Sequence, residues 1–273
     1  NCGFENNTDH FNVINGIQLW QVPHTGTYEI EVASGSGGNT AFSILGGGGR
    51  IIKGTKDLTQ GQYLRIIVGS RGGRYEYTAG GGGASVIGLA QSMTNPEPNG
   101  GPWIMPGAGG GGGSSGSTGE NASTSEFSSS GYATNSNNSA GSGGSTTSTQ
   151  NWGYGGGGSG WLSDGGGNSD TGSGNNYQGH YNAEPLNTGD APNGAYYPPF
   201  SNPFYDLTSG SCKGAAGGFG GGGNGACNGG GAGAGYTGGH TGGAGGGSYY
   251  DTTIMNNDRV DIGLNPANTD GYV

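Results

Sequence analysis

Apolar side chains are scarce in this chain. Leu, Ile, Val and Phe together number 35 of 273 residues, about 13%, and chains below roughly 20% ordinarily stay disordered. A core of the usual oil-drop kind is therefore not expected to hold the whole chain. Basic charge is scarce as well, with 8 Lys and Arg against 18 Asp and Glu, and none of the 8 lies between residues 75 and 212. That excludes the basic footprint on which nucleic-acid binding depends. No apolar run approaches the roughly 20 residues of a membrane-spanning helix. Helix signals are nearly missing: only residues 58–63 would form a turn, and Gly61 argues against even that.

Glycine fills the space that these absences leave. There are 71 glycines, clustered in runs at 46–49, 80–83, 109–113, 155–158, 220–223, 229–231 and 245–247. Glycine loses more backbone entropy on ordering than any other residue and buries no side chain in return. An ordered glycine run thus needs dense backbone contact. Threefold helices of polyproline II geometry make no internal hydrogen bonds and turn every N–H and C=O outward, and those groups must find partners. Without Cβ atoms such helices can pack side by side and bond to one another. A five-residue run at about 3.1 Å per residue spans only about 15 Å, which suits a bundle of short rods, and the strict three-residue repeat of collagen is absent.

Period-two alternation predicts strands in the first ninety residues. Over residues 27–32, Tyr28, Ile30 and Val32 fall on one face and Thr27, Glu29 and Glu31 on the other, the signature of a half-buried strand. Residues 63–68 repeat it with Leu64, Ile66 and Val68 inward, and 14–20, 41–45 and 49–53 are shorter candidates. Residues 84–89 and 102–105 carry enough Ile, Val and Trp for two more strands, and 249–255 and 260–264 supply the last. Strand-like sequence at both ends, the last at Gly271-Tyr272-Val273, lets the two termini pair in one sheet.

Two tracts interrupt this pattern. Between residues 114 and 150, Ser and Thr make up 19 of 37 positions, a composition of flexible linkers or O-glycosylated stalks; we expect an ordered surface excursion held by sugars or neighbouring subunits. Residues 175–206 set aromatic rings among prolines, and Tyr196, Tyr197, Pro198, Pro199, Phe200, Phe204 and Tyr205 are the candidate interface residues. Such rings supply contact area at low entropic cost, for an interface, for stacking on sugars, or for capping the ends of a glycine bundle.

Secretion is the expectation from several weak signals. A chain starting at Asn1 in place of Met is what signal-peptide removal leaves, although a chosen boundary would look the same. Asn6, Asn121 and Asn137 each begin an N-glycosylation triplet. Of the three cysteines, Cys212 and Cys227 flank a glycine segment and would close a short loop as a disulfide in an oxidising compartment, with Cys2 left over; three unlinked thiols is the other reading.

Gly16-Ile17-Gln18-Leu19-Trp20-Gln21-Val22-Pro23, then Gly26-Thr27-Tyr28 and Tyr63-Leu64-Arg65-Ile66-Ile67-Val68-Gly69, resemble the start of the glycine-rich extracellular domain of the anaplastic lymphoma kinase and leukocyte tyrosine kinase receptors. Gly217-Gly218-Phe219-Gly220-Gly221-Gly222-Gly223, Cys227 and Gly235-Tyr236-Thr237-Gly238-Gly239 continue the pattern. The resemblance implies an all-β fold, a jelly-roll-like β-sandwich with an inserted bundle of polyglycine II helices, and it places the family's cysteine pair at Cys212 and Cys227. It predicts one domain over residues 1–273, with the sandwich mainly in 1–90 and 249–273. The bundle falls mainly in 107–247 and carries the Ser/Thr-rich excursion at 114–150 and the Tyr/Pro-rich insert at 175–206. Neither tract is expected from the family, nor is there a kinase domain, so receptor activity does not transfer. Tail-fibre tip adhesins of phages also use glycine-helix bundles, for host recognition.

No catalytic chemistry is legible. His10, His24, His180 and His240 are scattered without metal-ligand spacing. The oxygens around Asp164 and Asp170 would suit calcium, but the full loop signature and its terminal glutamate are missing. Gly-x-Ser-x-Gly and Gly-x-Gly-x-x-Gly strings carry no weight at this glycine content and outside a strand–helix context. The sequence therefore predicts no enzyme, no cofactor and no metal. It points to a secreted structural protein that assembles with itself into an extracellular fibre or matrix; the alternative is an adhesin or receptor-type module that binds glycans or a protein.

Overall fold

A computed structural model describes residues 10–95, 98–107 as backbone, 117–129, 140, 142–144, 155–163, 165, 214–226, 229–240, 242–253, 255–256 and 258–273. Among these residues there is no helix, and the fold is all-β. Strands β1 (Phe11–Ile14), β2 (Ile17–Gln21), β5 (Tyr63–Ile67), β6 (Ser85–Ala90) and β7 (Pro98–Gly107) form one antiparallel sheet in the order β1-β2-β5-β6-β7. Strands β3 (Gly26–Ala33), β4 (Gly49–Leu58) and β10 (Val260–Asn265) form a second antiparallel sheet in the order β10-β4-β3. A small ladder joins β8 (Gly214–Ala215) to β9 (Gly225–Ala226).

The alternating segments behave as their period demands. In β3, Ile30 and Val32 are buried and Thr27 and Glu29 exposed. Side chains of both sheets meet in one cluster, where Ile30, Val32 and Ile52 of the three-stranded sheet lie with Leu64 and Ile87 of the five-stranded one. Trp20 of β2 meets Tyr28 of β3 edge to face, with centroids 5.7 Å apart, a geometry favoured by the ring quadrupole. Each fully buried Leu or Ile contributes about 1.5–3 kcal/mol.

The opposite face of the five-stranded sheet is covered too. Ile17, Leu19, Ile67 and Val86 pack there with Ala234, Phe219 and Trp161, all from glycine-rich segments. Arg65, which the alternation places outward, is fully buried on this face opposite Leu19 and Gly88. The glycine-rich layer thus makes the second wall of this sheet.

Four expectations from the sequence are corrected. Residues 14–20 are two strands, because Asn15 and Gly16 adopt φ of 51° and 81° in a two-residue turn that pairs Ile14 with Ile17, the left-handed pair that a tight hairpin requires. Residues 41–45 are a loop: Ile44 N–H donates to the Thr40 hydroxyl at 3.2 Å, and Ser43 is left-handed at 64°. The described residues of 249–255 turn at Asp251, whose carboxylate accepts from the Thr253 N–H at 2.9 Å and hydroxyl at 2.6 Å, so a side chain takes the bond a strand would have used. The outermost strands also part company. β1 edges the five-stranded sheet, whereas β10 lies in the other sheet and Tyr272 bridges Ala33 of β3.

Two long connections leave the same end of the sheets. Residues 34–48 join β3 to β4 and 68–84 join β5 to β6, and buried Ser34 and Ser85 tie their roots together. The Ser85 N–H donates to the Ser34 hydroxyl at 2.9 Å, and the Ser85 hydroxyl donates to the Ala33 carbonyl at 2.7 Å and accepts from the Gly69 N–H at 2.9 Å. Both connections enter the same glycine layer as residues 214–226, 229–240 and 242–248, with residues 117–129 laid against them.

Candidate functional site

The glycine layer is held by its main chain. Residues 80–84 show how. Gly80 and Gly83 donate to the carbonyls of Gly73 and Ser70 at 3.0 and 2.9 Å, and their own carbonyls accept from Gly38 and Gly35 at 2.9 and 3.0 Å. Gly81 and Ala84 donate to Gly223 and Gly220 at 2.8 and 2.9 Å, while the Gly82 carbonyl accepts from Ala234 at 3.0 Å. Each neighbouring segment is addressed by every third residue. The same main-chain bonding continues outward, with Gly223 donating to Ala232, Ala232 to Gly156, Gly158 to Gly239 and Gly233 to Ala244, at 2.8 to 3.0 Å.

Close approach makes glycine obligatory here. A Cβ on Gly80, Gly81 or Gly83 would fall on the carbonyl oxygen of Ala216, Ala232 or Phe219, nearer than real Cβ atoms come to anything. The segments are buried all the same. Buried peptide groups without partners are heavily penalised, so this mutual bonding is the condition for the layer to exist.

Residues 117–129, the start of the Ser/Thr-rich tract, are docked onto the layer. Glu120 and Ala122 donate to the carbonyls of Gly243 and Gly48 at 2.8 and 2.9 Å, and Ser123 donates to that of Gly246 at 2.9 Å. Two arginines clamp the same stretch. Arg50 donates to the Ala122 carbonyl at 2.8 Å, and Arg259, in an ion pair with Asp261, donates to the Thr124 carbonyl at 2.6 Å. Burial pulls the Arg50 guanidinium below its ordinary value, against the raising influence of Asp261.

Three kinds of surface emerge from this frame. Midway along the two connections, loops 39–45 and 74–79 present Phe42 and Tyr77, 62% and 47% exposed, with ring centroids 5.1 Å apart. The loops are fastened by Ala41 N–H donating to the Tyr75 carbonyl at 3.0 Å, and Tyr75 N–H to the Thr78 carbonyl at 3.0 Å. Along the three-stranded sheet, edge strand β10 shows Val260, Ile262 and Leu264, at 49%, 48% and 38% exposure. On the flank, half-buried Trp161, Tyr236 and Tyr249 form a series, Tyr236 and Tyr249 stacking at 4.4 Å with 18° between their planes.

A polar network pins the return of the chain to β4. The Tyr250 hydroxyl, seated over Gly54, donates to Asp258 at 2.8 Å and lies 2.7 Å from the Asn256 carbonyl. Asp258 also accepts from the Thr55 N–H at 3.0 Å and hydroxyl at 2.6 Å. Desolvation, then the bond to Asp258, pushes the Tyr250 phenol well above its ordinary value. The Thr55 bonds, with Tyr250 after them, hold the Asp258 carboxyl low.

Of the residues singled out from sequence, Asn121 is exposed, and its side-chain oxygen accepts from the Gly48 N–H at 2.8 Å. Asn6, Asn137, Cys2, Cys212, Cys227, Asp164, Asp170 and the candidate interface residues Tyr196, Tyr197, Pro198, Pro199, Phe200, Phe204 and Tyr205 lie outside the described residues. Sequence reasoning missed Phe42 and Tyr77, although the pairing of an aromatic with a break between glycine runs was visible in both loops. Among the described residues no group of three His, Cys, Asp or Glu is arranged to hold a metal ion, and no helix is long and apolar enough to cross a membrane.

Comparison with models of known protein families finds no match, and comparison with curated proteins finds none either.

Proposed function

We propose that the chain is a secreted structural protein, without enzymatic activity, that assembles with copies of itself into an extracellular fibre or matrix. Its rigid unit is a jelly-roll-like β-sandwich carrying a bundle of polyglycine II helices, as in the receptor domains that residues 16–28, 63–69 and 217–239 resemble. The observation that carries this reading is the three-residue period of main-chain bonding around residues 80–84, which is the period of a polyproline II helix. A body built this way devotes its residues to stiffness and presents little chemistry.

Edge strand β10 supports the assembly part, because an edge offers unpaired N–H and C=O groups to another chain and this one adds three exposed apolar side chains. Sedimentation and negative-stain microscopy across a concentration series test it. Growth of regular assemblies is expected, and a chain that stays monomeric at high concentration would sink the reading.

A second reading, a glycan-binding adhesin, is favoured by one observation: Phe42 and Tyr77 stand exposed side by side on fastened loops. Rigidly supported loops are where recognition residues concentrate. Glycan-array binding that disappears in Phe42→Ala and Tyr77→Ala would favour it over assembly.

A further inference from the structure

We propose that Tyr236 and Tyr249 form a dityrosine cross-link within one chain when the protein meets hydrogen peroxide and a haem peroxidase. Their rings stack with centroids 4.4 Å apart and planes within 18°, so ring carbons of one lie over ring carbons of the other at contact distance. The neighbouring described pairs lack a second phenol: Trp20 meets Tyr28, Phe42 meets Tyr77, and Trp161 meets Tyr236.

The main chain holds the two phenols in place. Tyr236 N–H donates to the Gly247 carbonyl at 2.8 Å, and Gly247 N–H donates to the Thr237 carbonyl at 2.8 Å. Gly235 packs so tightly on Gly247 that a Cβ there would strike its backbone. Both rings are half-buried, shielded from bulk solvent yet near enough to the surface for electron transfer to an external oxidant. Desolvation, with Glu126 and Asp251 adding to it, raises both phenols above the ordinary tyrosine value, so both are neutral at physiological pH and each gives up an electron and a proton together.

The chemistry balances. Each phenol loses one electron and its hydroxyl proton to give a phenoxyl radical. The two radicals couple carbon to carbon at positions ortho to oxygen, and the two ring hydrogens at the new bond migrate to the oxygens and restore both phenols. The peroxide takes up the two electrons and two protons and leaves as two waters. The new bond closes a loop between positions 236 and 249, doing for two glycine segments what a disulfide does elsewhere. The inference rests on ring geometry and stands apart from the assembly reading.

The test treats the full chain, dilute enough to be monomeric, with a haem peroxidase and hydrogen peroxide, then maps peptides by mass spectrometry and follows the blue emission of dityrosine. The expected result is a monomer that has lost two hydrogen atoms, with Tyr236 and Tyr249 joined. That species is absent in Tyr236→Phe and Tyr249→Phe and retained in Tyr77→Phe. Dityrosine at other positions with Tyr236 and Tyr249 unmodified, or dityrosine confined to covalent dimers, overturns the proposal. The peptide map of the unsubstituted chain decides even if a phenylalanine variant folds poorly.

Discussion

Ser36 and Thr269, 233 positions apart, are joined by three hydrogen bonds: the Ser36 N–H and hydroxyl both donate to the Thr269 carbonyl, at 3.0 and 3.1 Å, and the Thr269 N–H donates back to the Ser36 hydroxyl at 2.9 Å. Ser36 is fully buried. Ser36→Ala removes two of the three bonds and strands the Thr269 N–H, so a loss of about 1–3 kcal/mol is expected. Chemical denaturation of the variant beside the unsubstituted chain measures it.

Two glycine substitutions separate close approach from mere glycine content. Gly83→Ala drives a methyl group into the Phe219 carbonyl and should destabilise by about 1–3 kcal/mol or more. Gly26→Ala, at an exposed position with nothing within 4 Å of the added carbon, should stay within about 0.5 kcal/mol. Equal melting temperatures for the two would contradict a core held by main-chain contact.

Alkali should unfold the protein through its tyrosines. Tyr236, Tyr249, Tyr250 and Tyr272 all have phenols raised above the ordinary value, the first three chiefly by desolvation and Tyr272 by its bond to Glu31. A raised folded value means that the stabilisation is complete below the unfolded phenol's value of about 10 and is lost as pH rises through the folded one. Phenolate absorbance should therefore lag behind that of free tyrosine and rise with unfolding. In Tyr250→Phe the alkaline loss should be smaller.

Acid acts on the same network from the other side. Asp258 is held below its ordinary value by the Thr55 and Tyr250 bonds, so its contribution is present above the usual carboxylate range and disappears as pH falls through the lowered one. A pH series of melting temperatures should show a shallower acid limb in Asp258→Asn than in the unsubstituted chain.

Amide hydrogen exchange should find residues 80–84 among the slowest sites. The N–H groups of Gly80, Gly81, Gly83 and Ala84 are buried and paired, and such groups exchange only on large-scale opening. Exchange as fast as in loop 39–45 would contradict the bonding described here.

The strands were legible where side chains alternate and opaque where a single residue decides. β3, β5 and β10 lie almost where residues 27–32, 63–68 and 260–264 placed them. The break at Asn15-Gly16 was written in the sequence as a turn dipeptide but was overridden by the apolar run around it. Arg65 shows a different failure. Alternation sends it outward, and only a second layer with no apolar pattern of its own makes outward mean buried. The exposed rings of Phe42 and Tyr77 escaped notice because periodicity reports which face of an element is covered and says nothing of loops.

Segments that repeat one residue type have no knobs to fix their axial position. Around residues 80–84 every third peptide faces the same neighbour, so adding or deleting three residues restores each contact, while adding one or two turns every donor to the wrong side. Alignment along the axis then falls to side chains, among them Ser34, Ser36 and Ser85 at the roots and Ser70, Thr78 and Asn121 further along. Such a body can lengthen through evolution in steps of three without redesigning its interior, with those side chains as its fixed points.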